Sequence, residues 1–331
     1  MSKDTRQPEP GDAIARLIRL AGPRTRIPPE SADRVRNVVG HAWRLSVRHR
    51  RRRRALWGSV GSLAAAGVIG LLFAGSEAEL APDLGPVPLV RVARVERTDG
   101  MPMVIVAAGE RRPLMAGVEI QEGEILETGA EGRLALRLET GHSVRLDRHS
   151  RLRVLGGALL ALDRGAVYVD SGGASTPVEV STERGRVEEV GTQFEVRLQE
   201  SALRIRVREG SIQLDGREDV SAGSELTVHE DGSRRRGAIL AHGPDWQWTQ
   251  EIAPVFDLEG STLAEFLVWA SRETGRRVEY EDLAIRVGSG DVELHGDLEA
   301  MSPEQALAAV LPTCGLRHRL VESSLRIEEA L

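Results

Sequence analysis

Sulfur is nearly absent from this 331-residue chain: its single cysteine, Cys314, can form no internal disulfide, so sulfur chemistry says nothing of the compartment. Aromatic residues amount to only 3%, which leaves Val, Leu, Ile and Ala to build any core. Lys3 is the only lysine, and this arginine bias points to a GC-rich genome rather than to a site. No HExxH, GxxxxGK, GxSxG or CxxC occurs, which removes the motif-bearing zinc peptidases, P-loop proteins, serine hydrolases and dithiol oxidoreductases. The eight histidines are scattered. His142 and His149, in GHSVRLDRHS, offer two metal ligands at most, and beside Asp147 they suit a solvated hairpin better. Glu188 and Glu189 are adjacent in a strand-like stretch, so they point to opposite faces and do not share a substrate. No metal, no cofactor and no enzymatic activity on a substrate are expected.

What the sequence does have is ALWGSVGSLAAAGVIGLLFA at residues 55–74, twenty residues without a charge, behind the arginine run 50–54. That length crosses a bilayer as a helix. Arginines precede it while Glu77, Glu79 and Asp83 follow, so the positive-inside rule keeps the N-terminus cytoplasmic and exports the rest. The expectation is a single-pass inner-membrane protein with a periplasmic C-terminus. A cleaved signal peptide ending near Ser76-Glu77-Ala78 is the rival, with an overlong apolar core that starts only at residue 55. Gly58, Ser62, Ala66 and Gly70 repeat at four-residue intervals, a spacing compatible with a homodimer of spanning helices.

Net charge is −6 and divides at this boundary. Residues 1–54 hold fifteen basic against five acidic side chains, and the remainder holds 29 against 45, so the exported part is acidic and is not expected to bind nucleic acid. Within 1–54, residues 12–21 and 31–50 read as two amphipathic helices separated by AGPRTRIPPE. The second puts Val35, Val38, Val39, Ala42 and Trp43 on one face, which seeks either the lipid surface or a protein partner.

After a Pro- and acid-containing linker at 75–88, short alternating segments read as strands at 89–95, 103–107, 133–138, 143–146, 152–155, 166–169, 178–181, 194–198, 203–207 and 211–214. Glycines fall between most of them, as turns. This predicts one all-β domain over 89–230, followed by a less regular connector at 231–252 in which Trp246 and Trp248 dock one domain on the next. From 253 to 331 the pattern becomes α+β. FDLEG at 256–260 is a strand signal, Ser261 can cap a helix carrying Leu263, Phe266, Leu267 and Ala270, and RRVEY returns as a strand. The order then recurs, with VELHG at 292–296, a helix opened by Ser302-Pro303 with Ala306, Leu307, Val310 and Leu311 inward, and strands LRHRL and SLRIE.

GHSVRLDRHSRLRV, LDRGAVYVD, VEVSTERGRVEEVGTQFEVR and VREGSIQL, in order between 141 and 214, resemble the FecR family of membrane-spanning sigma-factor regulators. The resemblance implies a solenoid-like periplasmic β-domain. It also implies an anti-sigma role toward an extracytoplasmic-function sigma factor in the cytoplasm, and a TonB-dependent outer-membrane transducer of the iron-siderophore kind as periplasmic partner. Residues 253–331 are similar to the small secretin/TonB N-terminal domain. Against this, the family's cytoplasmic part is longer and Trp-punctuated, whereas 1–54 has only Trp43, so sigma binding through Val35, Val38, Val39 and Trp43 is an expectation. An envelope structural or ligand-binding module without sigma-factor control is the alternative. The resemblance further implies self-cleavage at a Gly-Thr bond, as in some members of the family, which falls here on Gly191 and Thr192. A Thr hydroxyl behind Gly can attack the preceding carbonyl in an N-to-O acyl shift, while the plainer reading makes the pair a turn opening a strand.

Overall fold

The computed structural model describes residues 90–106, 109–298 and 301–330. These belong to the second of two compact units, Leu84–Leu331. The expected spanning helix, the cytoplasmic helices with Val35, Val38, Val39 and Trp43, and the 75–88 linker lie outside the described residues. Among the described residues, no helix is long and apolar enough to cross a membrane.

The chain first builds a 15-stranded sheet: β1 (Arg91–Asp99), β2 (Met103–Ile105), β3 (Arg111–Pro113), β4 (Glu119–Gln121), β5 (Ile125–Glu127), β6 (Arg133–Leu138), β7 (Ser143–Leu146), β8 (Arg151–Gly156), β9 (Leu159–Asp170), β10 (Glu179–Thr182), β11 (Gly185–Leu198), β12 (Ala202–Leu214), β13 (Glu218–Ser221), β14 (Ser224–His229) and β15 (Arg234–Ala238). The longest path runs β15-β14-β12-β11-β10-β9-β7-β6-β1-β4. The all-β expectation holds. The solenoid-like stacking is not established by this pairing, which is antiparallel in every ladder except β9–β10. β6 and β7 form where the alternation places them. The stretches 203–207 and 211–214 are one strand, β12, and the sheet continues through β15, inside what reads in sequence as an irregular connector.

Side chains alternate across a strand, so each face of this sheet has its own composition. Leu134, Leu136, Val144, Leu146, Val167, Val169, Phe194, Val196, Leu203, Ile205 and Val207 turn to one side and form the main apolar core, together with Leu126, Leu152 and Val180. The other side of β6, β7, β9, β11 and β12 presents Ala135, Arg145, Tyr168, Glu195 and Arg208, and these are buried too. A 3-10 turn (Pro244–Trp246) and helix α1 (Gln247–Glu251) lie over it, with Trp246, Trp248 and Ile252 packed against Ala135, Ala166 and Tyr168. Both tryptophans meet Tyr168 edge-on, at ring distances of 6.1 and 6.5 Å.

The C-terminal part has a separate apolar core. Helix α2 (Leu263–Thr274) buries Leu263, Phe266, Leu267 and Ala270, and Gly275 ends it in the left-handed conformation at φ 67°. Its cap is Thr262 rather than Ser261, because the Ser261 hydroxyl is occupied by the Asp257 carbonyl at 2.7 Å. β16 (Arg277–Tyr280), α3 (Leu283–Gly288), α4 (Pro303–Thr313), β17 (Leu316–Val321) and β18 (Ser324–Glu329) follow, with strand order β16-β18-β17. Ser302 and Gln305 close a capping box on α4. Two expected strands do not form. Residues 256–258 are irregular and 259–260 a turn, and 292–296 contribute only a bridge between Glu293 and Thr262.

Candidate functional site

Gly191 and Thr192 sit in the middle of β11, not at a strand start. Pairing with β12 runs Val190 to Ser211 and resumes at Gln193 to Glu209, so two residues oppose the single Gly210, a β-bulge. Gly191 takes φ 69°, as the first residue of such a bulge needs. Opposite, a Cβ on Gly210 would stand 2.4 Å from the Gly191 carbonyl oxygen and 2.7 Å from Thr192 Cγ2, so the strands approach this closely only because residue 210 is glycine. The bulge turns the Thr192 side chain inward, where it is 1% exposed.

There the Thr192 hydroxyl donates to Glu189 Oε2 at 3.1 Å, and the other oxygen, Oε1, lies 2.9 Å from His142 Nε2. Glu189 is 2% exposed and His142 fully buried. The far ring nitrogen, Nδ1, is 2.8 Å from Thr140 Oγ1, which donates to the Gly157 carbonyl at 2.9 Å. Since the Thr140 proton is used on Gly157, its oxygen accepts from Nδ1–H. Nε2 and Oε1 make the next bond of the chain. Thr140, His142, Glu189 and Thr192 thus form a continuous buried chain of hydrogen bonds ending at the hydroxyl behind the Gly191 carbonyl.

Sequence reasoning sets two of these residues aside. His142 is expected on a solvated hairpin, but it packs beneath the turn at Gly141, and only His149 is exposed there, at φ 56°. Asp147 belongs to neither histidine: it pairs with Arg133 and Arg197 at 3.0 and 2.7 Å. Glu188 and Glu189 do point to opposite faces, with Glu188 partly exposed and Glu189 buried. That alternation is the one signal in the sequence that Glu189 faces inward beside Thr192. Among the described residues, no three His, Cys, Asp or Glu side chains are grouped to hold a metal ion.

A second buried polar group joins the sheet to α2. Arg145 makes paired hydrogen bonds to Glu273, at 2.7 and 2.6 Å, donates to the Thr249 carbonyl at 2.8 Å and lies 5.1 Å over the Tyr168 ring. Burial opposes its charge, yet the Glu273 carboxylate outweighs this and holds the guanidinium more firmly protonated than usual. Arg272 pairs with Asp170, which also accepts from Gln193 at 2.8 Å. Burial pushes the Asp170 pKa up, but the Arg272 bond and charge pull it below the ordinary value. Tyr168, by contrast, is pushed up to about 12 by burial. Arg208 donates to the carbonyls of Ala241 and Glu273, at 2.6 and 2.9 Å, against Gly275, where a Cβ would meet the Ala241 oxygen at 1.9 Å.

The first network, and all of β6 to β11, lie within residues 124–213, which match the family model for FecR protein. The chain carries a FecR domain. No curated protein matches the chain. Among solved structures, a candidate anti-sigma factor from Parabacteroides distasonis ATCC 8503 aligns at 16% identity and TM-score 0.34, covering 62% of this chain and 98% of its own. A second candidate anti-sigma factor structure from the same organism aligns at 14% identity and TM-score 0.27, covering 72% and 99%. The FecR domain holds Gly191, Thr192, Glu189 and His142, while Glu273 and Arg272 lie beyond it.

Proposed function

We propose that this protein is a transmembrane anti-sigma-type regulator. The FecR match over 124–213 carries the reading, since the residues matched build the central strands of the sheet. In this proposal the 55–74 segment spans the inner membrane, with residues 1–54 in the cytoplasm holding an extracytoplasmic-function sigma factor. The α+β part, 253–331, meets the signalling domain of a TonB-dependent outer-membrane transducer. Binding outside shifts what the cytoplasmic segment holds, as a coupling free energy between two sites.

The test is capture of an extracytoplasmic-function sigma factor by the intact chain. If the face of Val35, Val38, Val39 and Trp43 makes the contact, burying Trp43 alone is worth on the order of 2–3 kcal/mol. Replacing Trp43 and Val39 by Ala then weakens capture about a hundredfold, at roughly 1.4 kcal/mol per tenfold. Membrane insertion stays intact. If the intact segment captures no sigma factor while the exported domains bind an envelope ligand, the structural or ligand-binding reading replaces this one.

The proposal includes self-cleavage of the Gly191–Thr192 peptide. It is supported by the Thr192 hydroxyl, buried beside the scissile bond and donating to a carboxylate at 3.1 Å.

A further inference from the structure

Most of the buried charge in this molecule holds the architecture together. Arg145 with Glu273 and Arg272 with Asp170 join α2 to the sheet, and Glu195 receives Trp248 Nε1 at 2.8 Å. Glu189 joins no two domains. Its partners are a histidine, a threonine hydroxyl and, at 3.4 Å, the Val178 amide, all within or at the edge of the β-strands, and none of the three is an arginine. A carboxylate buried in an apolar sheet without a guanidinium is costly unless hydrogen bonds offset it. Here those bonds end on one hydroxyl, next to the bulge at Gly191.

We propose that Glu189 is the proton acceptor, and His142, held by Thr140, the positioning residue, for an N-to-O acyl shift at Thr192. The inference rests on the self-cleavage reading and assigns its acid–base groups. Thr192 Oγ1 attacks the Gly191 carbonyl carbon while its proton passes to Glu189 Oε2. The C–N bond then breaks and the same proton is delivered to the Thr192 nitrogen, leaving Gly191 esterified to Oγ1. Water cleaves the ester, its hydroxide going to the Gly191 carbonyl and its proton to Oγ1, so one peptide bond and one water become a carboxyl and an amine. His142 keeps its Nε2 face on Oε1, which leaves Oε2 directed at the hydroxyl, and Thr140 fixes the ring by accepting from Nδ1–H. Gly210 leaves room for the bulge, since a Cβ there would stand 2.4 Å from the Gly191 carbonyl oxygen.

The experiment follows cleavage of the full chain in membranes, by the appearance of a fragment whose N-terminal sequence is Thr192-Gln193-Phe194, with and without hydroxylamine. Hydroxylamine intercepts the ester and leaves a hydroxamate on Gly191. Glu189→Gln, which keeps the shape but exchanges one acceptor oxygen for an amide that takes up no proton, is expected to slow cleavage by about 10²- to 10⁴-fold, the range of a general base. Thr140→Val is expected to slow it about tenfold, with Thr140→Ser restoring the rate, a rescue that reports on the hydroxyl oxygen that accepts from the ring and not on packing. If the unaltered chain yields no fragment with or without hydroxylamine, self-cleavage itself is wrong. If it cleaves and Thr192→Ala does not, but Glu189→Gln and Thr140→Val both cleave at the unaltered rate, cleavage stands and this assignment is overturned. Should Glu189→Gln fail to fold, the Thr140 pair decides alone.

Discussion

The two faces of the large sheet are buried by opposite means. One carries Leu134, Leu136, Phe194, Val196 and Ile205 into an apolar core. The other sets Arg145, Glu195 and Arg208 under two tryptophans and α2. Apolar contacts tolerate any neighbour of suitable shape, whereas a buried arginine accepts only a partner that brings a carboxylate or a carbonyl to the right place. The first face therefore makes the domain fold, and the second determines what may lie on it and in which register. Glu273 and Arg272, adjacent on α2, meet Arg145 and Asp170 in the paired strands β7 and β9, and this fixes the rotation of α2 about its axis.

The largest effect expected from breaking this arrangement comes from separating Arg145 and Glu273. Glu273→Leu leaves a buried guanidinium without its carboxylate and should cost about 3–5 kcal/mol. The double change Arg145→Met with Glu273→Leu removes the charge with its partner, and should return stability to within about 1 kcal/mol of the original or above it. Urea unfolding of residues 84–331 measures both. Equal losses in the single and double variants would show that removing the guanidinium relieves nothing, and the distinction between the faces would fail.

A smaller effect separates the faces by pH. Asp170, Asp147 and Glu195 are each pushed up by burial and pulled further down by arginines: Arg272 for the first, Arg197 with Arg133 for the second, and Arg197 with Arg204 for the third. Their folded pKa values lie below the ordinary 3.8 and 4.5. The stability they contribute is present above those ordinary values and is lost as pH falls through the depressed ones. The urea midpoint should fall as pH is lowered from roughly 5 to 3, and Asp170→Asn should flatten that slope. A flat midpoint would mean that these arginine-held carboxylates add no stability.

What was legible in the sequence follows the same division. Strands whose alternation feeds the apolar core, β6 and β7 above all, appear at the expected residues. β3 and β15, read as RRP and RRRGA, are exposed along their whole length and carry no apolar period to detect. LRIRVR at 203–208 shows its period plainly, but a polar alternate face suggests solvent, and nothing local reveals that Arg208 lies under Trp246. The network around Thr192 was hidden for a related reason. His142 and Glu189 are 47 positions apart, and only strand pairing brings them to 2.9 Å. VELHG fails as a strand because its ladder is a single bridge, between Glu293 and Thr262.

The smallest effect concerns the start of α2, which presents Glu273 and Arg272 to the sheet. Two hydroxyls compete for the cap. Ser261 bonds back to the Asp257 carbonyl at 2.7 Å, while Thr262 accepts from the Glu265 amide at 3.3 Å and its own amide donates to the Glu265 carboxylate at 2.8 Å. A reciprocal box satisfies two helix-end groups that would otherwise lack partners, so Thr262→Ala should cost about 1 kcal/mol. Ser261→Ala, which loses one bond to an exposed turn, should cost about half of that. The Glu265 carboxylate is held below its usual pKa by the Thr262 amide and hydroxyl, so the Thr262→Ala penalty should shrink as pH falls and Glu265 becomes protonated. Measured by urea unfolding of residues 84–331, a larger loss for Ser261→Ala than for Thr262→Ala would move the start of the helix back one residue.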